Sequence, residues 1–206
     1  MSAQFVSRGF KGRRASAEIQ NRLPPGQHEV ADFPVLSAGP TPQITEDNWR
    51  LTIEGWVKEP TSWRWEEFRQ LPSQEFVVDI HCVTSWSKFD TRWRGVSIDT
   101  LLQQVTLDPR AQYVAAYSYG GYTTNLPIGE LNNGQAFVAY EYDGKPLPRE
   151  HGGLARLVVP RLYFWKSAKW LRSLRFIESD QPGFWESLGY HNHGDPWKDE
   201  RYSADY

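Results

Sequence analysis

Cysteine is nearly missing from this chain: one residue, Cys82, in 206. A single thiol cannot close an internal disulfide, so a fold stapled by cross-links is excluded. No run approaches the ~20 apolar residues that a membrane-spanning helix needs, so no membrane span is expected. Neither a GxxxxGK loop nor a GxGxxG fingerprint occurs, which removes the two commonest glycine-rich phosphate cradles, and no internal repeat is visible. Net charge is also close to absent. The 23 basic and 25 acidic residues leave −2, so the chain as a whole offers a polyanion nothing, and nucleic acid is not an expected partner.

Aromatic residues, by contrast, are plentiful, at 15% with ten Trp. Each buries on the order of 150–250 Å², so there is much planar surface to place in a core or a pocket. A chain of this length fits one domain and buries roughly 70% of its unfolded surface. Residues 1–27 are basic and polar with Gly9, Gly12, Pro24, Pro25 and Gly26, and read as a flexible or surface-lying arm. Residues 28–206 read as a single domain. Arg13-Arg14 is followed by Ala15-Ser16-Ala17-Glu18 rather than an apolar segment, so it does not read as an export signal. With the lone cysteine, the expected location is the cytoplasm.

Leu51 and Ile53 alternate with Thr52 and Glu54, the period of a half-buried strand across residues 49–57. Further strands are predicted at 76–82, 112–118, 136–142, 154–159 and 170–177. Short helices are predicted at 65–70, stopped before Pro72, and at 99–105, capped by Ser97. The stretch after Cys82, with Lys88, Arg92 and Arg94, reads as a loop that can offer charge to a substrate. Helices so few and so irregularly placed favour an α+β fold of mixed β-sheets over a doubly wound one.

Cys82 closes the 76–82 strand, where the chain leaves the sheet and a side chain can meet a pocket. Successive residues of a strand face opposite ways, so His81 is poorly placed to activate the neighbouring thiol. Core filler is the ordinary role of a free cysteine; soft-metal ligand and nucleophile are the alternatives.

A second feature is a regional absence of acid. Between His151 and Ile177 there is no Asp or Glu, while Arg156, Arg161, Lys166, Lys169, Arg172 and Arg175 supply six positive charges. Such a segment is either a solvated basic face or a site for an anion. Arg156 after Gly152-Gly153, and Lys166-Ser167-Ala168-Lys169 before the next strand, have the residue types that hold a phosphate.

Taken in order, several segments carry a resemblance. They are Phe33-Pro34-Val35-Leu36, the Cys82 strand, Gly120-Gly121-Tyr122-Thr123-Thr124-Asn125-Leu126-Pro127, the run from Ala139 to Pro148, His151-Gly152-Gly153, Lys166-Ser167-Ala168-Lys169-Trp170, and the tail around Gly189-Tyr190-His191-Asn192-His193-Gly194-Asp195-Pro196-Trp197. From Phe33 to the carboxyl end the chain resembles the molybdopterin-binding domain of the sulfite oxidase family, specifically its small single-domain bacterial oxidoreductases.

The resemblance implies the sulfite oxidase-type molybdopterin-binding fold and a molybdenum-molybdopterin cofactor. It implies Cys82 as the molybdenum ligand and Leu36, Ser37, Ser118, His151, Arg156, Ser167, Ala168 and Lys169 as cofactor-binding positions. Tyr122 is the further candidate catalytic-site residue, with Trp86 beside it lining the pocket. The implied activity moves an oxygen atom to or from a small sulfur-containing substrate, with electrons from a separate partner protein and the chain acting as a monomer.

There are departures. The position five beyond the cysteine, where sulfite oxidases hold their oxyanion with Arg, is Ser87; the Asn and His of true sulfite oxidases are missing near Leu36-Ser37-Ala38; and Gly153-Leu154 replaces Gly-Pro. Two rival readings remain: a non-catalytic binding module with Cys82 in its core, and a zinc hydrolase using His191, His193 and Asp195.

Overall fold

The structure, a computed structural model, describes residues 20–203. Residues 1–19, which include Arg13-Arg14 and most of the basic amino-terminal segment, lie outside the described residues, as do 204–206. The strands in chain order are β1 (His28–Glu29), β2 (Arg50–Gly55), β3 (Thr61–Arg64), β4 (Gln74–His81), β5 (Trp86–Ser97), β6 (Tyr113–Ser118), β7 (Thr123–Pro127), β8 (Phe137–Tyr142), β9 (Lys145–Pro146), β10 (Arg156–Val158) and β11 (Leu171–Ile177). Two short helices, α1 (Trp65–Gln70) and α2 (Ile98–Leu102), join them.

The strands form two mixed sheets. One runs β1-β5-β8-β10 with β4 paired to β5 and β9 to β8; the other runs β3-β2-β11-β6-β7. The β1–β5 and β2–β11 pairs are parallel, and the remaining pairs are antiparallel. The predicted fold class is thus the observed one.

Around β8 and β10 the first sheet is buried on both faces, so its alternating side chains serve two clusters. Val96, Val138 and Leu157 point into the main core against Leu51, Ile53, Leu174 and Phe176 of the second sheet. The intervening residues Trp93, Phe137, Ala139 and Val158 point the other way, into a smaller cluster that also holds Ile80, Cys82, Trp86 and Tyr163. Arg156 pairs in register with Ala139 and so shares that second face.

The helices follow local chemistry. The Arg64 N–H donates to Glu67 Oε2 at 2.7 Å ahead of α1, and Ser97 Oγ accepts from the Thr100 N–H at 3.0 Å ahead of α2. α2 stops at Leu102, short of the predicted 105, because the chain breaks into turns there.

The largest difference from the sequence reading is β5. Residues 86–97 form the longest strand, paired on both sides, so Lys88, Arg92 and Arg94 stand on a strand and not on a loop. Two of the three have partners: Lys88 donates to the Ala31 carbonyl at 2.5 Å, and Arg94 lies 3.6 Å from Glu141. Gly95 sits at a register shift against β8, where a Cβ would come within 2.2 Å of the Val138 carbonyl oxygen, so no larger residue fits. β3 and β7 are likewise strands beyond the predicted set.

Phe68, fully buried on α1, packs its ring 5.1 Å from Trp49 and 6.1 Å from Tyr140. Phe68→Ala is expected to lower unfolding stability by about 3–5 kcal/mol. Exposed Leu188 gives the contrast: its replacement by Ala is expected to change stability by less than about 0.5 kcal/mol in the same denaturant titration.

Candidate active site

The second face of the first sheet opens into a cavity of about 420 Å³, within the roughly 300–1,000 Å³ usual for small-molecule sites. Cys82 stands at one wall. It is the first residue after β4, in the turn that returns as β5: its N–H donates to the Trp86 carbonyl at 2.8 Å, and its carbonyl accepts from the Ser85 N–H at 3.0 Å. Its Sγ lies 3.1 Å from the Thr84 hydroxyl. Burial pushes the thiol up from its ordinary pKa, opposed by Thr84 and by the charge of Arg201.

His81 turns away as the strand period requires. Its Nδ1 pairs with Ser87 Oγ at 2.8 Å, and neither residue lines the cavity. The Cys-His couple is therefore not formed by these neighbours, and Ser87, fully buried, presents nothing to a substrate.

Across the cavity stands Arg156. Its guanidinium is 1% exposed and donates to the carbonyls of His151 and Ser167, each at 2.7 Å, and to that of Leu157 at 3.4 Å. It also lies 4.1 Å from the Phe164 ring centre. No carboxylate pairs with it among the described residues. Burial lowers its pKa to about 9, which leaves it charged at neutral pH.

Lys169 is the second cation of the lining. Its Nζ donates to the carbonyls of Leu36 and Glu150, each at 2.7 Å, and to Ser37 Oγ at 3.2 Å, tying the Leu36-Ser37 segment to the cavity rim. Burial and Arg156 lower it to about 8. His151 stacks on Phe33, ring centres 3.9 Å apart, and is held near 4 by burial, Arg156 and Lys169, so its imidazole is neutral.

Leu36, Ser37, Cys82, Tyr122, His151, Arg156, Ser167 and Lys169 thus meet at one cavity, as does Trp86. Two predicted positions do not line it. Ala168 turns its methyl into the main core while its carbonyl accepts from the Leu157 N–H at 2.9 Å, and Ser118 is buried at the end of β6 with its hydroxyl unpaired. Tyr122 lines the cavity but its hydroxyl is committed to the Trp165 carbonyl at 2.5 Å.

The cationic segment splits in two. Of its six cations only Arg156 and Lys169 reach the cavity. Lys166 is fully buried elsewhere against Glu186 at 2.6 Å, and Arg161, Arg172 and Arg175 are exposed. No Asp or Glu is among the lining residues.

The histidine-rich tail does not gather a metal site. His193 bridges Glu130 and Glu200, at 3.0 Å each, Asp195 Oδ1 accepts from the Trp197 N–H at 2.9 Å, and His191 Nδ1 accepts from the Gly194 N–H at 3.1 Å. Among the described residues no group of three or more His, Cys, Asp or Glu is placed to hold a metal ion. What sequence reasoning missed is the aromatic wall of Phe33, Phe164, Trp165, Trp185 and Tyr190, drawn from four separate segments. Phe33 and Tyr190 lie inside the segments that carried the resemblance, which was the available signal.

One wall holds a sulfur, the other two unpaired cations, with aromatic faces between. His151 Nδ1 and Trp86 Nε1 are buried without a hydrogen-bond partner among the described residues, and both residues line the cavity. These features fit a flat, anionic cofactor that carries a soft metal. The chain belongs to the oxidoreductase molybdopterin-binding domain family, whose profile matches residues 38–185, and it is a molybdenum-dependent oxidoreductase with a molybdenum-molybdopterin cofactor.

It is 40% identical over 197 residues to the uncharacterized oxidoreductase YuiH of Bacillus subtilis (strain 168), covering 95% of this chain and 100% of that one. The putative protein-methionine-sulfoxide reductase subunit YedZ1 of Azospira oryzae is 29% identical, over 72% of this chain and 56% of its own length. The protein-methionine-sulfoxide reductase catalytic subunit MsrP of Gluconobacter oxydans is 28% identical, over 71% and 52%. The chain therefore spans about half the length of these last two relatives. The sulfane dehydrogenase SoxCD of Paracoccus pantotrophus shares the fold at 17% identity, with a TM-score of 0.62 over 87% of this chain and 57% of that one.

Burial lowers the His81 pKa from 6.5 to about 4, against a smaller opposing effect of Asp79. Above 6.5 both folded and unfolded chains hold a neutral ring, so this residue adds no pH dependence. As pH falls from 6.5 toward about 4 the unfolded chain takes up the proton first. Stability is expected to drop over that window by on the order of 1–3 kcal/mol, and His81→Asn should flatten this part of a melting-temperature profile.

Proposed function

We propose that this enzyme transfers an oxygen atom to or from a small neutral sulfur substrate, of the sulfoxide or thioether type, at a molybdenum ligated by Cys82. The observation that carries the reading is the division of charge in the cavity. Two cations without an acid stand on the β10 side, and a lone sulfur among aromatic rings stands opposite.

When bound, the cofactor supplies the two-electron redox chemistry. The chain's own residues bind and orient. Arg156 offers a planar hydrogen-bonding face and Lys169 a point charge to a phosphate group. His151, neutral and stacked on Phe33, offers an unpaired ring nitrogen to the cofactor. The Thr84 hydroxyl, 3.1 Å from Sγ, supports negative charge on the sulfur. A thiolate is the soft donor such a metal prefers. A pterin-free binding module would leave Arg156 buried beside no anion, at a cost of several kcal/mol.

The aromatic side supports the choice of a neutral substrate. A doubly charged anion such as sulfite needs fixed cationic donors; Ser87 carries none and pairs with His81, and Lys88 donates to the Ala31 carbonyl. Trp165, Trp185 and Tyr190 suit an uncharged, polarizable sulfur group instead. The names of the methionine-sulfoxide reductase relatives agree with this. Two of those relatives are named as subunits, which supports delivery of electrons by a separate partner protein.

Protein purified from a host that makes the pterin is expected to contain near-stoichiometric molybdenum by elemental analysis. Cys82→Ser should lose the metal or all turnover; a Cys82→Ser protein with full metal and full activity would refute the ligand assignment. Lys169→Gln should weaken pterin retention roughly 10–150-fold, the loss of one charge-assisted contact of about 1.5–3 kcal/mol. Pterin released per chain measures this. With artificial redox dyes, kcat/KM for a dialkyl sulfoxide should exceed that for sulfite, and the reverse order would remove the substrate assignment.

A further inference from the structure

We infer that Arg201 is a positioning residue for the Cys82 sulfur, acting from a carboxyl-terminal segment outside the 38–185 stretch matched by the family profile. The inference rests on Cys82 being the metal ligand.

Residues 82–85 form the turn that joins β4 to β5, and Ser85 adopts a φ of 73°. A serine holds that conformation only where its surroundings over-determine it. The surroundings are two side chains from opposite ends of the chain. Arg201 Nη1 donates to the Val83 carbonyl and, at 3.3 Å, to Ser85 Oγ, while Nη2 donates to the Pro25 carbonyl at 3.1 Å. From the other side Gln27 Nε2 donates to the Cys82 carbonyl at 3.0 Å.

The guanidinium is itself aimed. Its Nε donates to Asp199 Oδ1 at 2.6 Å, the backbone carbonyl of Arg201 accepts from the His191 N–H at 3.0 Å, and the side chain is only 13% exposed. Held this way, the turn keeps the Thr84 hydroxyl 3.1 Å from Sγ and fixes the backbone that carries the sulfur. Residues that orient a metal ligand in this manner are worth about 10–100-fold in metal affinity. A planar fork reaching two carbonyls cannot be copied by a lysine ammonium, which reaches one.

The test uses the full chain purified with its cofactor. Arg201→Gln is expected to retain the pterin, because Arg156 and Lys169 are untouched, but to lose molybdenum about 10–100-fold more readily to a chelator and to shift the visible sulfur-to-metal absorption band. Arg201→Lys should restore the band in part. Gln27→Leu, which spares the buried guanidinium, should shift the band in the same sense. If Arg201→Gln and Gln27→Leu keep the parent's metal retention and band while only melting temperature falls, Arg201 is a structural anchor and the inference is overturned. If Cys82→Ser keeps the metal and the parent's band, the ligand assignment fails first and the inference falls with it.

Discussion

The interaction on which this site depends is an unpaired one: the Arg156 guanidinium, sealed from solvent and facing no carboxylate among the described residues. Moving a charge out of water is costly unless something answers it. The backbone carbonyls of His151 and Ser167 and the face of Phe164, from the two loops that flank β10, answer in part, together with the more distant Leu157 carbonyl. The same residue therefore braces the loops around the cavity and makes the cavity electropositive. Lys166 shows the contrasting solution. It is as deeply buried, yet it holds Glu186 at 2.6 Å and the Asn125 and Asn192 carbonyls at 2.8 and 2.6 Å, so its charge is answered within the protein and is not available to a ligand.

The two-faced sheet delivers the opposing groups to one place. β10 is three residues long, and its alternation sends Leu157 into the main core while Arg156 and Val158 face the second cluster. The β4–β5 turn brings Cys82 to the same face from the far side of β8. With both faces buried, neither strand can slip by one residue without exchanging a charged group for an apolar one across the sheet. Register in the sheet is what keeps sulfur and guanidinium on the same cavity.

Much of this was legible in the chain because period and punctuation were clean. β2, α1, β6, β8 and β11 follow apolar alternation or a capping residue, and their ends fall within a residue or two of expectation. β5 was not legible, since Lys88, Arg92 and Arg94 look like loop charges until the folded chain gives Lys88 the Ala31 carbonyl and Arg94 the strand residues Glu75 and Glu141. The acid-free segment pointed to an anion site correctly as a region and wrongly as a unit. Its six cations divide by strand and loop geometry, which composition cannot resolve. Ala168 illustrates the same limit: it is adjacent to two lining residues, but its own side chain belongs to the main core.

The departure at Ser87 gains meaning from this geometry. A missing cation in a sequence is ambiguous, since a neighbour can take over its task. Here the neighbours are accounted for. Ser87 is hydrogen-bonded to His81 and Gln27, Lys88 to the Ala31 carbonyl, and Arg94 lies beside Glu75 and Glu141. Arg201, the remaining cation near the sulfur, has its guanidinium occupied by three carbonyl or hydroxyl groups and Asp199. The positive charge that faces the cavity is thus concentrated at Arg156 and Lys169, the two residues proposed to meet a phosphate. On the aromatic side a neutral sulfur group loses little on leaving water, whereas a dianion would be desolvated without a fixed counter-charge. The proposed roles thus rest on one arrangement, in which the cations stand on the β10 side of the cavity and the aromatic side carries no fixed counter-charge.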